Sequence, residues 1–129
     1  MKNILLVEDD QKIALAIGMS LKAMGYSLAT ASDAVSAVAQ ARKSNPDVVV
    51  LDINLPGGDG FVVAERLQNL AQTAAAPIIF ITASKQEHLR ERAMAMGATC
   101  FLEKPFGVTE LADAIESVYA RPLDQVQIG

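Results

Sequence analysis

The amino-acid sequence predicts an α/β protein in which helices cover both faces of a parallel sheet. Five short apolar runs alternate with five segments of helical pattern, and the connections between them are only a few residues long. The run at residues 48–51 is apolar at four consecutive positions, which is typical of a strand buried on both faces. Repeated strand–helix units with short connections form parallel sheets, so the alternation favours this class over an all-helical or all-strand fold.

The alternation divides the chain into ten elements. The strand candidates are residues 4–7, 28–30, 48–51, 78–81 and 99–102. The helix candidates are residues 11–24, 34–43, 60–71, 84–96 and 108–118. The first helix has apolar residues at i, i+4 and i+8, and the last has them at i, i+3, i+7 and i+10. Each of these two helices therefore presents one apolar face to a core.

Polar residues and glycines mark the helix ends. Ser32 and Asp59 are predicted N-caps of the second and third helices, and Ser84 begins a capping-box pattern with a glutamate three residues later. Gly25 and Gly97 are placed to end the first and fourth helices.

The chain of 129 residues is long enough for one domain with its own core, and 51% of its residues are hydrophobic. We assign residues 1–120 to this domain and residues 121–129, which carry no clear element, to a tail or linker stub. The net charge of −4 argues against direct nucleic-acid binding by this domain.

Other features bear on the compartment. No apolar run approaches the roughly 18 residues that a membrane helix needs. The first residues lead directly into a strand rather than a signal peptide. A single cysteine, Cys100, fits a reducing compartment, so we expect a cytoplasmic protein with no membrane association.

Charged and polar residues follow four of the five strands. They are Glu8 and Asp9 after the first strand, Asp52 after the third, Thr82 after the fourth and Lys104 after the fifth. Ligands of open parallel sheets bind beyond the carboxyl ends of the strands, so we expect these side chains to meet at one edge. Taken alone, Asp52 could be a turn aspartate and Thr82 a strand-end threonine bonded to its own backbone.

Three carboxylates at one place require a compensating cation or protonation. At separations of ~5 Å, each pair would repel by ~3 kcal/mol at an effective dielectric constant near 20. Carboxylates suit the hard ion Mg²⁺, whereas the single His88 and single Cys100 offer no zinc cluster. A carboxylate can also accept a phosphoryl group, and the central position of Asp52 makes it the natural nucleophile. Lys104 and Thr82 could then neutralise and hydrogen-bond the phosphoryl oxygens.

At this point a family resemblance is evident. The segments ILLVEDD, VVVLDINLPGGDG, IIFITAS and FLEKPF occur in this order, and together they resemble a response-regulator receiver domain of two-component signalling, similar to the chemotaxis receivers. The resemblance covers residues 2 to about 120. It implies a flavodoxin-like (βα)5 three-layer sandwich with the strand order 2-1-3-4-5.

The resemblance also implies roles for individual residues. The Mg²⁺ ligands would be Glu8, Asp9, Asp52 and the backbone carbonyl of Asn54. The phosphoryl site would consist of Asp52 as the acceptor, with Thr82 and Lys104 binding the group. Phe101 would be the switch residue that turns inward when Thr82 moves, and Lys104–Pro105 would be a cis peptide. Two departures from the family pattern, Gly58 and Gly107, lie outside these reacting groups.

The implied phosphodonor is a histidine kinase or a histidine phosphotransfer protein, and the implied output is a change in the surface of residues 85–120 that an output domain or effector reads. The domain would then accept a phosphoryl group without being an enzyme that acts on outside substrates. The alternatives are a Mg²⁺-dependent phosphatase or phosphotransferase that works through the same aspartyl phosphate, and a binding module that is not phosphorylated. The sequence leaves open whether the chain is a monomer or a phosphorylation-dependent dimer.

Overall fold

The computed structural model describes residues 2–56, 59–84 and 86–128, with side chains described up to Val118. The strands are β1 (Asn3–Val7), β2 (Ser27–Ala31), β3 (Val48–Asp52), β4 (Ile78–Thr82) and β5 (Cys100–Glu103). The helices are α1 (Gln11–Ala23), α2 (Ala34–Ser44), α3 (Gly60–Gln68), α4 (Glu87–Ala95) and α5 (Val108–Ile128). The strands form one parallel sheet in the order β2-β1-β3-β4-β5, which confirms the predicted flavodoxin-like architecture.

The sheet separates two apolar cores. Alternate strand residues point to opposite faces, so Leu5 and Val49 belong to one core while Ile4 and Val48 belong to the other. Helices α2, α3 and α4 cover the first face, and α1 and α5 cover the second. Every residue of β3 is buried, as its unbroken apolar run predicts for a central parallel strand.

Two of the predicted helix caps are wrong. Asp33, not Ser32, is the N-cap of α2: it accepts a hydrogen bond from the Ser36 backbone N–H at 2.7 Å, and its own N–H donates to the Ser36 hydroxyl. Ser84 does not cap α4, because Gln86 occupies the N-cap position and the helix begins only at Glu87. The predicted cap lies one residue before the observed cap in α2 and two residues before it in α4.

The predicted N-cap of α3 and the two glycines predicted after α1 and α4 are confirmed. Asp59 accepts a hydrogen bond from the Val62 N–H at 2.9 Å and caps α3. Gly25 and Gly97 follow the ends of α1 and α4 with φ values of 93° and 85°, which glycine adopts without a steric penalty.

Three helices differ in length from the prediction by three residues or more. Helix α4 spans only Glu87–Ala95 instead of residues 84–96. Helix α3 ends at Gln68 rather than at residue 71, and the buried Thr73 hydroxyl donates to the Leu67 carbonyl at 2.6 Å in the following turns. Helix α5 continues to Ile128, so the prediction that residues 121–129 carry no element is wrong for residues 121–128. Gly129 lies outside the described residues. A helix that has already formed can be extended without a second nucleation step, so α5 continues beyond the residues of its apolar face. Among the described residues, none of the helices is long and apolar enough to cross a bilayer.

Candidate functional site

The carboxyl ends of β1 and β3 bring three acids together. The two strands are paired in parallel with Val7 opposite Leu51, so Glu8 and Asp52 leave the sheet side by side. Glu8 is 2% exposed and Asp52 is 3% exposed, whereas Asp9 lies at the surface. One carboxylate oxygen from each of the three lies within 4.8 Å of the others. The predicted convergence of these acids is therefore present.

Lys104 joins the two buried acids. Its ammonium nitrogen lies 2.9 Å from Asp52 Oδ2 and also contacts Glu8 Oε1. The backbone positions this side chain, because the Lys104 N–H donates to the Thr82 carbonyl at 2.7 Å. The Lys104–Pro105 peptide is cis, as the resemblance implied.

The charges of this cluster do not balance. Burial raises the pKa of Glu8 to about 7, Lys104 opposes this rise, and Asp52 adds to it. Burial acts to lower the pKa of Lys104, but its hydrogen bonds to Glu8 and Asp52 outweigh burial and raise it. One ammonium therefore faces three carboxyl groups. A hard divalent cation fits this set of oxygen donors, and the cluster is a candidate metal site.

The loop after β3 is held against the end of that strand. Asp52 Oδ1 accepts a hydrogen bond from the Asn54 N–H at 3.0 Å, which leaves the exposed Asn54 beside the acids. At the start of α3, a Cβ on Gly60 would lie 2.3 Å from the Asp52 carbonyl oxygen, so no other residue fits without displacing the strand end. The Gly60 N–H also donates to the Ile53 carbonyl at 2.6 Å. Sequence reasoning treated Gly60 only as a helix start, since one glycine in a DG pair gives no sign of this close approach.

Thr82 and Phe101 lie on the neighbouring strands. Thr82 is fully buried at the end of β4, and its hydroxyl accepts the Ser84 N–H. Phe101 is only 6% exposed, and the guanidinium carbon of Arg90 lies 4.9 Å from its ring centroid. The ring is thus already buried, whereas the resemblance implied a side chain that turns inward on activation.

Two arginines of α4 were not identified from the sequence. Arg90 covers Phe101 of β5, and Arg92 covers Phe61 of α3, with its guanidinium carbon 4.2 Å from the ring centroid. Both contacts join segments that are distant along the chain, so no local pattern could reveal them. Cys100, the first residue of β5, is partly buried.

Comparison with known proteins agrees with this geometry. The family profile described as "Response regulator receiver domain" matches residues 4–116. The chain belongs to the response regulator receiver family.

Two solved structures illustrate the likeness in fold. The chemotaxis response regulator CheY4 of Vibrio cholerae shares 30% identity with a TM-score of 0.84, over 92% of this receiver and 98% of that chain. The non-phosphorylated HemR receiver domain of Leptospira biflexa shares 33% identity with a TM-score of 0.83, over 92% and 94% of the two chains.

Curated relatives include two transcriptional regulators. The DNA-binding regulator RpaA of Synechocystis is 33% identical over 121 residues, which cover 94% of this receiver and 50% of RpaA. The alkaline phosphatase synthesis regulatory protein PhoP of Bacillus subtilis is 32% identical over 120 residues, which cover 93% and 49%. The chain thus spans about half the length of these relatives.

Proposed function

We propose that this receiver accepts a phosphoryl group on Asp52 from a phosphohistidine of a histidine kinase or histidine phosphotransfer protein. The P–N bond of the donor breaks, a bond forms between phosphorus and a carboxylate oxygen of Asp52, and the donor imidazole keeps the electron pair. The observation that carries this proposal is the contact of one ammonium, that of Lys104, with both buried carboxylates beside a third acid.

The acids fit a Mg²⁺ site. Glu8, Asp9 and Asp52 would hold the ion with the backbone carbonyl of Asn54, because oxygen donors with several negative charges suit Mg²⁺. The bound ion would supply positive charge that offsets the phosphoryl oxygens. This support is needed since Lys104 alone cannot neutralise two carboxylates and an incoming phosphoryl group.

Lys104 and Thr82 have separate tasks in this proposal. Lys104 already lies 2.9 Å from Asp52 and would hold a phosphoryl oxygen there by charge. Thr82 would turn its hydroxyl from the Ser84 N–H toward the phosphoryl group as a hydrogen-bond donor. Because α4 follows Thr82 closely, the surface of residues 85–120 would change, and an output domain or effector would read that change. The domain would act in the cytoplasm and bind no nucleic acid itself.

The test is labelling with a small acyl phosphate, followed by intact mass measurement. In the presence of Mg²⁺, the wild type gains one phosphoryl group, whereas Asp52→Asn gains none and chelation of the metal abolishes labelling. Asp59→Asn is the matched control, because this nearby carboxylate caps α3 and lies outside the acid cluster. Equal labelling of Asp52→Asn and the wild type would place the acceptor elsewhere.

A further inference from the structure

Helix α4 is attached unevenly to the rest of the domain. Near its C-terminal end, Ala93 is fully buried and Met96 packs against the core. The side-chain amide of Gln68 also donates to the Met96 carbonyl at 3.0 Å. At the N-terminal end, Gln86 occupies the cap position without a side-chain hydrogen bond, and the first helical residue, Glu87, is exposed. The two ends of the helix are therefore held with different strength.

The C-terminal half carries the firmer arginine contact. Arg92 lies over Phe61, whose side chain is 2% exposed. The Phe61 ring in turn packs on the Phe80 ring, with 5.2 Å between centroids. Arg92 itself lies at the surface, but the ring beneath it is buried and held against Phe80, so the cation–π contact has a fixed partner.

The N-terminal half depends on Arg90. Its guanidinium covers the Phe101 ring at the longer distance of 4.9 Å, and its Nη2 lies 3.8 Å from Glu103 Oε1. The two charged side chains are 49% and 40% exposed, so water and salt weaken this ion pair. Among the described residues, the contact of Arg90 with Phe101 and the packing of the partly buried Leu89 therefore attach this half to the domain.

The loosely held end is the one that follows the proposed phosphoryl site. Only residues 83–86 separate Thr82 from α4, and the Ser84 N–H is bonded to the Thr82 hydroxyl. A Thr82 hydroxyl that turns toward a phosphoryl group on Asp52 gives up this bond, and the segment that leads into α4 must then move.

We propose that phosphorylation breaks the contact of Arg90 with Phe101 and leaves the contact of Arg92 with Phe61 intact. The N-terminal half of α4 then moves while the C-terminal half stays in place. Arg90 acts as a positioning residue: it stabilises the unphosphorylated arrangement by covering Phe101. This inference rests on the proposed phosphorylation of Asp52. A contact that is present in only one of two states shifts the balance between them, so its removal favours the other state.

The experiment compares Arg90→Gln, Arg92→Gln and the wild type by their affinity for beryllofluoride with Mg²⁺, a complex that imitates a phosphoryl group on a carboxylate. Arg90→Gln binds it more tightly by roughly fivefold, equivalent to ~1 kcal/mol for a lost cation–π contact. Arg92→Gln leaves the affinity unchanged. Glu103→Gln, which removes only the exposed ion pair, changes it by less than about twofold. An unchanged or weaker affinity in Arg90→Gln overturns the proposal.

Amide hydrogen exchange supplies the second readout. Without beryllofluoride, Arg90→Gln raises the exchange rates of residues 87–91 but not those of residues 92–96. Beryllofluoride raises the rates of residues 87–91 in the wild type and has a smaller effect in Arg90→Gln, where the contact is already lost. Uniform changes along α4 in Arg90→Gln contradict a two-part helix. If Arg92→Gln folds poorly, Arg92→Lys retains the cation and serves in its place.

Asp52→Asn separates this inference from the proposed function. A wild type that shows no response to beryllofluoride and Mg²⁺, like Asp52→Asn, overturns the proposed acceptor site. A wild type that responds while Arg90→Gln retains its affinity overturns only the assignment of Arg90.

Discussion

Helices α3 and α4 are both nine residues long and cover the same face of the sheet, yet they are packed very differently. Five residues of α3 are buried, namely Gly60, Phe61, Val63, Ala64 and Leu67. In α4 only Ala93 is buried. Equal length and a shared layer therefore do not give equal attachment, because packing of an apolar face supplies most of the stability of a helix in a protein.

The difference corresponds to the positions of the two helices around the candidate site. Helix α3 starts against the backbone of Asp52 and Ile53, where it supports the end of β3. Helix α4 follows Thr82 and has few buried groups, which is the character expected of a segment that rearranges. The same layer of the fold thus contains one firmly packed helix, α3, and one weakly packed helix, α4.

The largest expected effect comes from the same truncation in each helix. Leu67→Ala in α3 removes a side chain that is 1% exposed and should lower the free energy of unfolding by ~2–5 kcal/mol. Leu89→Ala in α4 removes a partly buried side chain and should cost only ~1–2 kcal/mol. Urea unfolding of both variants measures the contrast. Equal losses would contradict the difference in packing.

Gly60→Ala tests how tightly α3 packs against the end of β3. Its Cβ would lie 2.3 Å from the Asp52 carbonyl oxygen, so we expect a loss of about 1–3 kcal/mol from overpacking. Without this contact, alanine in a helix would be favoured over glycine by up to ~1 kcal/mol. The control is Gly107→Ala, where the nearest atom is 3.9 Å away and the change should stay below ~1 kcal/mol. If Gly60→Ala were more stable than the wild type, the loop after β3 would move away from the added methyl group at little cost.

The helix caps should also respond differently. Asp59→Ala removes the N-cap bond of α3 and should cost ~1 kcal/mol, whereas Gln86→Ala removes no cap bond and should be close to neutral. Gln86→Asp would supply the missing cap and should add ~0.5–1 kcal/mol. Thermal unfolding measures all three. A cost at Gln86 as large as that at Asp59 would mean that α4 is capped in solution.

The smallest effect is a pH dependence at α2, the third helix of this layer. The Ser36 N–H, with the Ser36 hydroxyl and the Val35 N–H adding to it, lowers the pKa of Asp33 below its ordinary value of 3.8. The corresponding stability is present above pH ~4 and is lost as the pH falls through the lowered pKa. The difference in melting temperature between the wild type and Asp33→Asn should therefore stay constant from pH 7 to ~4 and change only below that. A change in this difference in melting temperature between pH 5 and 7 would mean that another group titrates there.

Much of this protein was determined by local sequence. The unbroken apolar run of β3 fixed a central buried strand, since such a run has no polar side to face water. The order of acids, threonine and lysine after successive strands fixed the cluster of Glu8, Asp9, Asp52 and Lys104, because parallel strands end at one edge. The sheet order itself came from the family resemblance.

Tertiary structure decided the features that depend on contacts between distant segments. The pairing of Arg90 with Phe101 of β5 and of Arg92 with Phe61 of α3 joins segments that no short pattern relates. Local sequence determines which apolar surfaces must be buried, because removing them from water is favourable whatever they pack against. Only the packed fold determines which partner each side chain meets.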